Sequence, residues 1–192
     1  SVASPDTPLG PIPPGVEPDE YDRLRRRVLW MMPTGLYVLG SRAGDSSNLM
    51  TLNWAIQVST DPKLVAVSVE AGAVTHRLID EGGVFALSLL DRADRAVVRK
   101  FVKPVAPGPA EGQLGGFAVR TATTGAPILA QARAWLDCEV SARQPCGSHT
   151  LFIGQVVHAG LNEESGSDEG DGETRGETGI LRMEDTRMSY GG

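Results

Sequence analysis

The stretch R-A-W-L-D-C-E-V-S-A-R-Q-P-C-G-S-H-T-L-F-I-G-Q-V-V, residues 133–157, contains two runs of alternating residue types joined by a short polar turn. In the first run Leu136 and Cys138 face one way, and the intervening Trp135 and Asp137 face the other. This period of two is typical of a strand in a sheet with one buried face. The stretch therefore predicts two strands of a half-buried sheet, connected by the turn.

The turn between the two runs reads C-G-S-H and places His149 at the start of the second strand. Gly147 tolerates backbone angles that a side chain would resist. Ser148 and His149 then present a hydroxyl and an imidazole at a strand end, where small ligands bind in many β-barrels. The turn makes His149 the first candidate for a functional residue.

From residue 34 onward, short apolar segments punctuated by Gly, Pro, Asn and Asp dominate the chain. Their composition and spacing predict strands at residues 35–41, 49–58, 63–70, 84–90, 133–142, 150–157 and 180–183. Helices are predicted at residues 75–81, capped by Thr75, and at residues 91–102, capped by Asp91. Since few strands are separated by helices, we predict an all-β, mainly antiparallel barrel of Greek-key-like order, closed or partly closed, with flanking α-helices.

The 192 residues suit one domain with flexible segments. Residues 1–18 hold six of the thirteen prolines and are predicted to form an extended, flexible arm. A helix follows, with Tyr21, Leu24 and Val28 at helical spacing. Residues 19–192 then make up the predicted folded domain.

The acidic residues are concentrated in one segment. Residues 163–177 carry seven acidic residues and one basic residue, a net charge of -6 that equals the net charge of the whole chain. A Gly/Ser/acidic composition buries too little apolar surface to order the backbone, so residues 162–178 are predicted to form a flexible loop. A docking loop for a basic partner is the alternative. The rest of the chain is neutral and gives no support for nucleic-acid binding.

Cysteine usage and the apolar runs bear on the compartment of the protein. Cys138 and Cys146 fit the free thiols of a reducing compartment, so a cytoplasmic location is expected. The longest apolar runs, such as residues 84–90, are far shorter than the ~20 residues that a membrane helix needs. The amino terminus also lacks the basic and then apolar pattern of a signal peptide, so no membrane association is expected.

The sequence lacks the motifs of several self-sufficient catalytic sites. It contains no P-loop, no Rossmann glycine pattern and no G-x-S-x-G elbow. His76, His149 and His158 lack the spacing of a zinc site, so no metal is expected. If the protein is an enzyme, a bound organic cofactor is expected to supply the reactivity, and no side chain is assigned a catalytic role.

Five stretches share their order and spacing with one known family. They are T-G-L-Y-V-L-G-S (34–41), N-L-M-T-L-N-W-A-I-Q-V-S-T-D-P-K-L-V-A-V-S-V (48–69), T-H-R-L-I-D-E-G-G-V-F-A-L-S-L-L (75–90), G-S-H-T-L-F-I-G-Q-V (147–156) and L-R-M-E-D-T-R-M-S-Y-G-G (181–192). Together they resemble the flavin reductase family, and the fourth is similar to its G-D-H-T motif. The resemblance implies an FMN-binding split β-barrel.

The resemblance also implies an activity and partners. It implies an NAD(P)H:flavin oxidoreductase that transfers hydride from NADH or NADPH to bound FMN or FAD. It further implies a homodimer and a role in supplying reduced flavin to a flavin-dependent monooxygenase. Two alternatives remain open: an electron-transfer flavoprotein that retains its FMN, and a non-catalytic split-barrel protein that binds flavin or haem.

Site residues follow from the matching positions of the family's motifs. The resemblance implies that the flavin ring and ribityl chain lie along Met50, Thr51, Leu52, Asn53, Trp54, Ala55 and Gln57. It implies that the flavin phosphate is held by Ala71, Gly72, Thr75, His76 and Arg77. It implies that the nicotinamide is positioned by Ser148 and His149.

The sequence departs from the family pattern at two of these places. Residues 71–73 are Ala, Gly and Ala where family members often carry Ser, Arg or Lys, and Glu70 adds a negative charge. We therefore expect weak flavin binding, or a phosphate that is met by another group. Ser148 replaces the family's aspartate, and a hydroxyl cannot stabilise an imidazolium as a carboxylate does, so His149 is expected to be neutral.

Overall fold

The computed structural model describes residues 10–105, 112–162 and 179–192. These residues form two compact units, one of residues 34–186 and one of residues 10–33 together with 187–192. Residues 1–9 of the predicted arm and residues 163–178 of the predicted acidic loop lie outside the described residues.

The smaller unit is built on helix α1 (Pro18–Trp30), which confirms the helix predicted at this place. Its N-cap is Glu17, whose carboxylate accepts a hydrogen bond from the backbone N–H of Glu20 at 2.9 Å. At the other end, the indole N–H of Trp30 donates to the carbonyl of Gly191 at 3.0 Å. The C-terminal residues are thereby tied to the end of α1.

The larger unit is mainly a sheet. Its strands are β1 (Tyr37–Ala43), β2 (Ser46–Leu52), β3 (Ala55–Thr60), β4 (Lys63–Glu70), β5 (Val84–Leu89), β6 (Gln113–Leu114), β7 (Phe117–Arg120), β8 (Ile128–Leu129), β9 (Ala134–Cys146) and β10 (His149–Leu161), and its α-helix is α2 (Val74–Gly82). Seven strands form one sheet in the order β2-β1-β5-β9-β10-β4-β3, and each neighbouring pair is antiparallel. The mainly antiparallel all-β prediction is confirmed.

The two edge strands of this sheet are consecutive in the chain. Only Asn53 and Trp54 connect the end of β2 at Leu52 to the start of β3 at Ala55. A chain extends by at most ~3.6 Å per residue, so Leu52 and Ala55 lie within about 11 Å of each other. The sheet must therefore curl until its edges approach, which makes a barrel that is split along β2 and β3.

Apolar side chains fill the inside of the curved sheet. Leu39 of β1, Val67 of β4, Phe85 of β5 and Phe152 of β10 belong to one buried cluster. Ile79 of α2 belongs to the same cluster, so the helix packs onto the barrel and completes its core. Burying a side chain of this size contributes about 1.5–3 kcal/mol to stability, which explains why α2 stays on the barrel.

A second layer covers part of the outer face of the sheet. Ala126 and Ile128, from the segment that ends in β8, pack with Trp135 of β9. Asp137 is fully buried and accepts hydrogen bonds from the backbone N–H of Thr124, at 2.8 Å, and from its hydroxyl. The expectation of a half-buried sheet is therefore wrong at Trp135 and Asp137, because a preceding segment of the chain covers them.

Two strand predictions are corrected by the backbone. Residues 49–58 form two strands because the chain bends at Asn53 and Trp54, where the Trp54 carbonyl accepts from Ser68 N–H at 3.0 Å. Residues 180–183 form isolated bridges, followed by a 3-10 turn at Met183–Asp185. The sequence of this segment is typical of a strand, but in the structure the segment forms no continuous ladder with a neighbouring strand.

The predicted helix caps have different outcomes. Thr75 is not a cap: Ala73 is the N-cap of α2, and the buried Thr75 hydroxyl accepts from Asn48 Nδ2 at 3.1 Å. Asp91 does cap, since its carboxylate accepts from Ala93 N–H at 2.9 Å.

The helix predicted after Asp91 is corrected as well. Residues 91–102 form two 3-10 segments, Arg92–Asp94 and Val97–Phe101, in place of one α-helix. The second segment turns Val98 and Phe101 into the core, where both are fully buried.

The segment of residues 124–129, which covers the outer face of the sheet, lies close to β1. This covering segment lets us predict the effect of adding one carbon atom to a glycine of β1. A Cβ at Gly40 of β1 would lie 1.8 Å from the carbonyl oxygen of Pro127, so Gly40→Ala forces the covering segment away from the sheet. We expect a loss of about 1–3 kcal/mol in the free energy of unfolding, measured by urea denaturation. Gly72→Ala is the control, because its Cβ would meet nothing within 4 Å. Equal stability of the two variants would contradict this packing.

Candidate functional site

The hairpin turn places His149 against Trp54. The two ring centroids are 5.0 Å apart and the ring planes are inclined by 56°. Trp54 belongs to the predicted flavin segment and His149 to the predicted nicotinamide segment, so the structure brings the two predicted sites together. Both side chains lie on the outer face of the sheet, because they alternate with the inward-facing Val67 and Val69 of β4.

Hydrogen bonds fix the backbone and the ring around His149. His149 lies between Cys146 of β9 and Glu70 of β4 in the ladders of the sheet. The Ser148 hydroxyl is 2.8 Å from His149 Nδ1, so the predicted pair is in direct contact. The Ser148 carbonyl accepts from the backbone N–H of Ala71 at 2.9 Å, which joins the turn to the loop before α2.

Partial burial sets the charge state of His149. It lowers the pKa of the imidazole below its usual value of about 6.5, because a charged ring loses solvation. The carboxylate of Glu70 acts in the opposite direction and raises the pKa, but by less. Burial therefore favours the neutral form of the ring.

The loop before α2 leaves room for an anionic group. Ala71 and Gly72 are exposed, and a Cβ at Gly72 would meet no atom within 4 Å. The N-cap, Ala73, gives no side-chain hydrogen bond to the first turn of the helix. A helix N-terminus carries partial positive charge, so the loop and first turn fit a phosphate in both space and sign.

Three other residues of the predicted phosphate site are engaged elsewhere. Thr75 is buried against Asn48, as described above. His76 Nε2 lies 2.8 Å from the hydroxyl of Thr150. Arg77 forms an exposed ion pair with Glu81 at 3.3 Å. Thr75, His76 and Arg77 therefore each contact another side chain. Of the five residues predicted to hold the phosphate, only Ala71 and Gly72 are exposed and without such a contact.

The predicted flavin strand offers mainly backbone and small groups. The Thr51 hydroxyl donates to the carbonyl of Val98, and the buried Asn53 amide lies 3.5 Å from the Thr34 hydroxyl. Leu52 belongs to the core cluster, and the half-buried Met50 packs against it. A ring lying along this segment would therefore meet backbone groups and the Trp54 side chain.

Ala55 and Gln57 line a cavity on the opposite side of β3. The cavity encloses about 380 Å³, and its other walls include Tyr37, Leu87 and Leu136. The sequence did not predict this cavity because its walls come from strands far apart in the chain. Half-buried positions on several strands were the only signal. The segment predicted to lie along the flavin ring therefore has Trp54 on the outer face of the sheet and Ala55 and Gln57 on the opposite face.

The sequence also missed a set of contacts between α2 and the β9–β10 hairpin. Arg143 donates from Nε to the Asp80 carboxylate at 3.0 Å and from Nη2 to the Asp80 carbonyl at 3.1 Å. Thr150 contacts His76, as above. A polar side chain on a strand next to a helix was the only available signal, and it does not identify the partner.

Two features are absent from the described residues. No described helix is long and apolar enough to cross a membrane. Within residues 10–105, 112–162 and 179–192, no group of three or more His, Cys, Asp or Glu side chains is arranged to hold a metal ion.

Comparison with known proteins identifies the family. A model described as flavin reductase like domain matches residues 29–175. The chain therefore belongs to the flavin reductase like family, and the predicted family is confirmed.

Named relatives agree with this assignment. The NADH-dependent flavin reductase StyB of Pseudomonas fluorescens is 33% identical over 142 residues, which cover 72% of this chain and 78% of StyB. The solved styrene monooxygenase flavin reductase SMOB of Pseudomonas putida S12 is 32% identical, with a TM-score of 0.61 over 73% of this chain and 87% of SMOB. The split-barrel prediction is confirmed.

Longer proteins contain a similar segment. The putative diflavin flavoprotein A 1 of Nostoc sp. (strain PCC 7120) is 32% identical over 141 residues, which cover 69% of this chain. This chain spans only 24% of the length of that protein. The similarity therefore concerns one part of the diflavin flavoprotein.

The surroundings of His149 predict its titration. Since burial lowers the pKa, we expect the imidazole to titrate with a midpoint below 6.5, measured by NMR of the ring proton on Cε1. Glu70→Gln removes the carboxylate that opposes this effect, so the midpoint falls further. Glu139→Gln, an exposed acid at a distant position of β9, is the control. An unchanged midpoint in Glu70→Gln would show that the carboxylate does not act on His149, and a higher one would contradict the expected sign.

Proposed function

We propose that the protein is an NAD(P)H-dependent flavin reductase, which transfers hydride from NADH or NADPH to FMN or FAD. The observation that carries the proposal is the contact between Trp54 and His149 beside the open loop before α2. A flavin lying along Trp54 with its phosphate at Gly72 places its ring next to His149. The neutral imidazole then faces the space that a nicotinamide needs.

The residues of this chain bind and orient the reactants. A bound flavin supplies the hydride acceptor, and hydride transfer needs the two rings at about 3–3.5 Å. Backbone N–H groups along residues 51–55 meet the negative charge that reduction places on the flavin ring. Ser148 holds His149 in orientation, and His149 gives the nicotinamide a hydrogen-bonding partner. No side chain is assigned a covalent or acid–base role.

Flavin is proposed to exchange with solvent as a substrate. Residues 71–73 carry no charge, Glu70 is negative, and the side chain of Arg77 is paired with Glu81. These features weaken recognition of a phosphate, which favours release of reduced flavin. SMOB is described as the flavin reductase of a monooxygenase. We therefore propose a flavin-dependent monooxygenase as the recipient in the present case.

The protein is also proposed to be a homodimer in a reducing, cytoplasmic compartment. β3 is an edge strand, and its Ile56 and Val58 are 68% and 48% exposed. An edge strand with exposed apolar residues is a favourable surface for a second copy. Cys138 and Cys146 are free thiols, which fits a reducing compartment.

The dimer is tested by its mass in solution. We expect the wild-type protein to scatter light as a dimer at micromolar concentration, and Ile56→Lys to shift it toward monomer because a charge at the edge resists burial. Glu139→Lys, which introduces the same side chain at an exposed position of β9, is the control and is expected to keep the dimer. A wild-type monomer that reduces flavin normally would disprove the dimer proposal.

The activity itself is tested with purified protein. Oxidation of NADH and NADPH is followed by absorbance with FMN, FAD and riboflavin as acceptors. A riboflavin rate close to the FMN rate is the expected result of the uncharged phosphate loop. A yellow protein that retains FMN would indicate an electron-transfer flavoprotein. No oxidation with any flavin would leave a non-catalytic binding protein.

The two halves of the site predict opposite effects of two substitutions. His149→Ala removes one neutral hydrogen bond, worth about 0.5–1.5 kcal/mol, so the KM for NAD(P)H rises roughly three- to tenfold while FMN affinity changes little. Gly72→Glu adds a carboxylate at the phosphate position and weakens FMN with little effect on KM for NADH at saturating flavin. The open space at Gly72 accepts the side chain without disturbing the fold.

Both variants are measured by fluorescence titration with FMN and by kinetics at varied NADH. If each substitution affected both ligands equally, the assignment of the two halves would be wrong.

A further inference from the structure

Helix α2 and the β9–β10 hairpin are joined at three places. The backbone N–H of Ala71 donates to the Ser148 carbonyl at 2.9 Å, just before the helix. In the first turn of α2, His76 meets the Thr150 hydroxyl at 2.8 Å. The remaining contact, between Asp80 and Arg143, lies in the second half of the helix. The contacts therefore extend along most of α2.

At the turn end of the hairpin, the sheet supports β10 but not the outer edge of β9. β9 pairs with β5 only as far as Glu139, opposite Val84. Beyond that point residues 141–148 are exposed, and residues 142–146 pair in the sheet only with β10. β10 pairs with β4 from His149 onward, whereas the outer edge of β9 is unpaired beyond Glu139, so the contacts with α2 give the turn a second attachment and limit its movement relative to the helix.

Thr150 connects these contacts to the candidate site. It follows His149 directly, and successive side chains in a strand point to opposite faces. The Thr150 side chain points inward to His76, whose ring also packs edge-on against Phe152 at 5.1 Å. Holding Thr150 inward therefore holds His149 outward, toward Trp54.

We propose that Thr150 and Arg143 are positioning residues for the nicotinamide cofactor, acting through the contacts that fasten the His149 turn to α2. The inference rests on the proposed function, since it assigns His149 to the nicotinamide. The phosphate loop and the His149 turn then move as one body. Thr150 and Arg143 set the distance between the two ligand positions without touching either ligand.

The first test compares two substitutions at one position. Thr150→Val keeps the shape and removes the hydroxyl, whereas Thr150→Ser keeps the hydroxyl. We expect Thr150→Val to raise the KM for NADH roughly three- to tenfold with kcat nearly unchanged, and Thr150→Ser to stay within about twofold of wild type. Binding of NAD⁺ to the protein, measured by calorimetry, weakens by the same factor in Thr150→Val.

The second test removes the other contact. Arg143→Gln breaks the pair with Asp80 and is expected to raise the KM for NADH about two- to fivefold. Arg26→Gln is the matched control, because Arg26 forms a similar exposed pair with Asp22 in α1, at 3.1 Å compared with 3.0 Å. The control leaves the KM for NADH unchanged.

Hydrogen exchange supplies a readout that does not depend on activity. The Ala71 amide is expected to exchange faster in Thr150→Val and Arg143→Gln than in wild type, because its bond to the Ser148 carbonyl opens more often. Unchanged exchange and unchanged NAD⁺ affinity in both variants would overturn the proposal, as would a lower melting temperature with an unchanged KM. The failure of the proposed function is distinct: wild-type protein would then oxidise no NAD(P)H with any flavin.

Discussion

The two-residue connection between β2 and β3 is the constraint on which the rest of the larger unit depends. Asn53 and Trp54 join the first and last strands of a seven-stranded sheet, so its edges cannot separate. The curl that follows gives the sheet an inner face, which holds the apolar core, and an outer face, on which Trp54 contacts His149. One short connection thus determines both the closure of the barrel and the location of the candidate site.

The site combines two elements that are distant in the chain. α2 supplies an N-terminus without a side-chain cap, and the hairpin supplies an imidazole whose pKa is lowered by burial. Neither element is sufficient for a reductase, because hydride transfer requires both ligands in contact. Polar contacts between α2 and the hairpin add little to stability because most are exposed. Their value lies in geometry, since they hold the two elements in one arrangement.

The sequence predicts local backbone features well, but it does not predict which segment of the chain covers a strand. The alternation in residues 133–157 predicts both strands and the place of His149, because the pleat follows from backbone geometry. It does not predict that Asp137 is buried, since the segment that covers it comes from outside the hairpin. The motif positions of the family give a predicted region for the site. They do not predict that Thr75 and His76 are engaged with other side chains, because such contacts depend on the tertiary fold.

The position of Trp54 also has a spectroscopic consequence. Of the three tryptophans, Trp30 lies in α1, Trp135 lies under the covering segment, and Trp54 lies in the candidate site. Indole emission overlaps the absorption of both flavins and reduced nicotinamides, so either ligand bound near Trp54 quenches it by energy transfer. The protein therefore contains its own optical reporter of site occupancy, and no external dye is needed to follow a ligand as it enters or leaves.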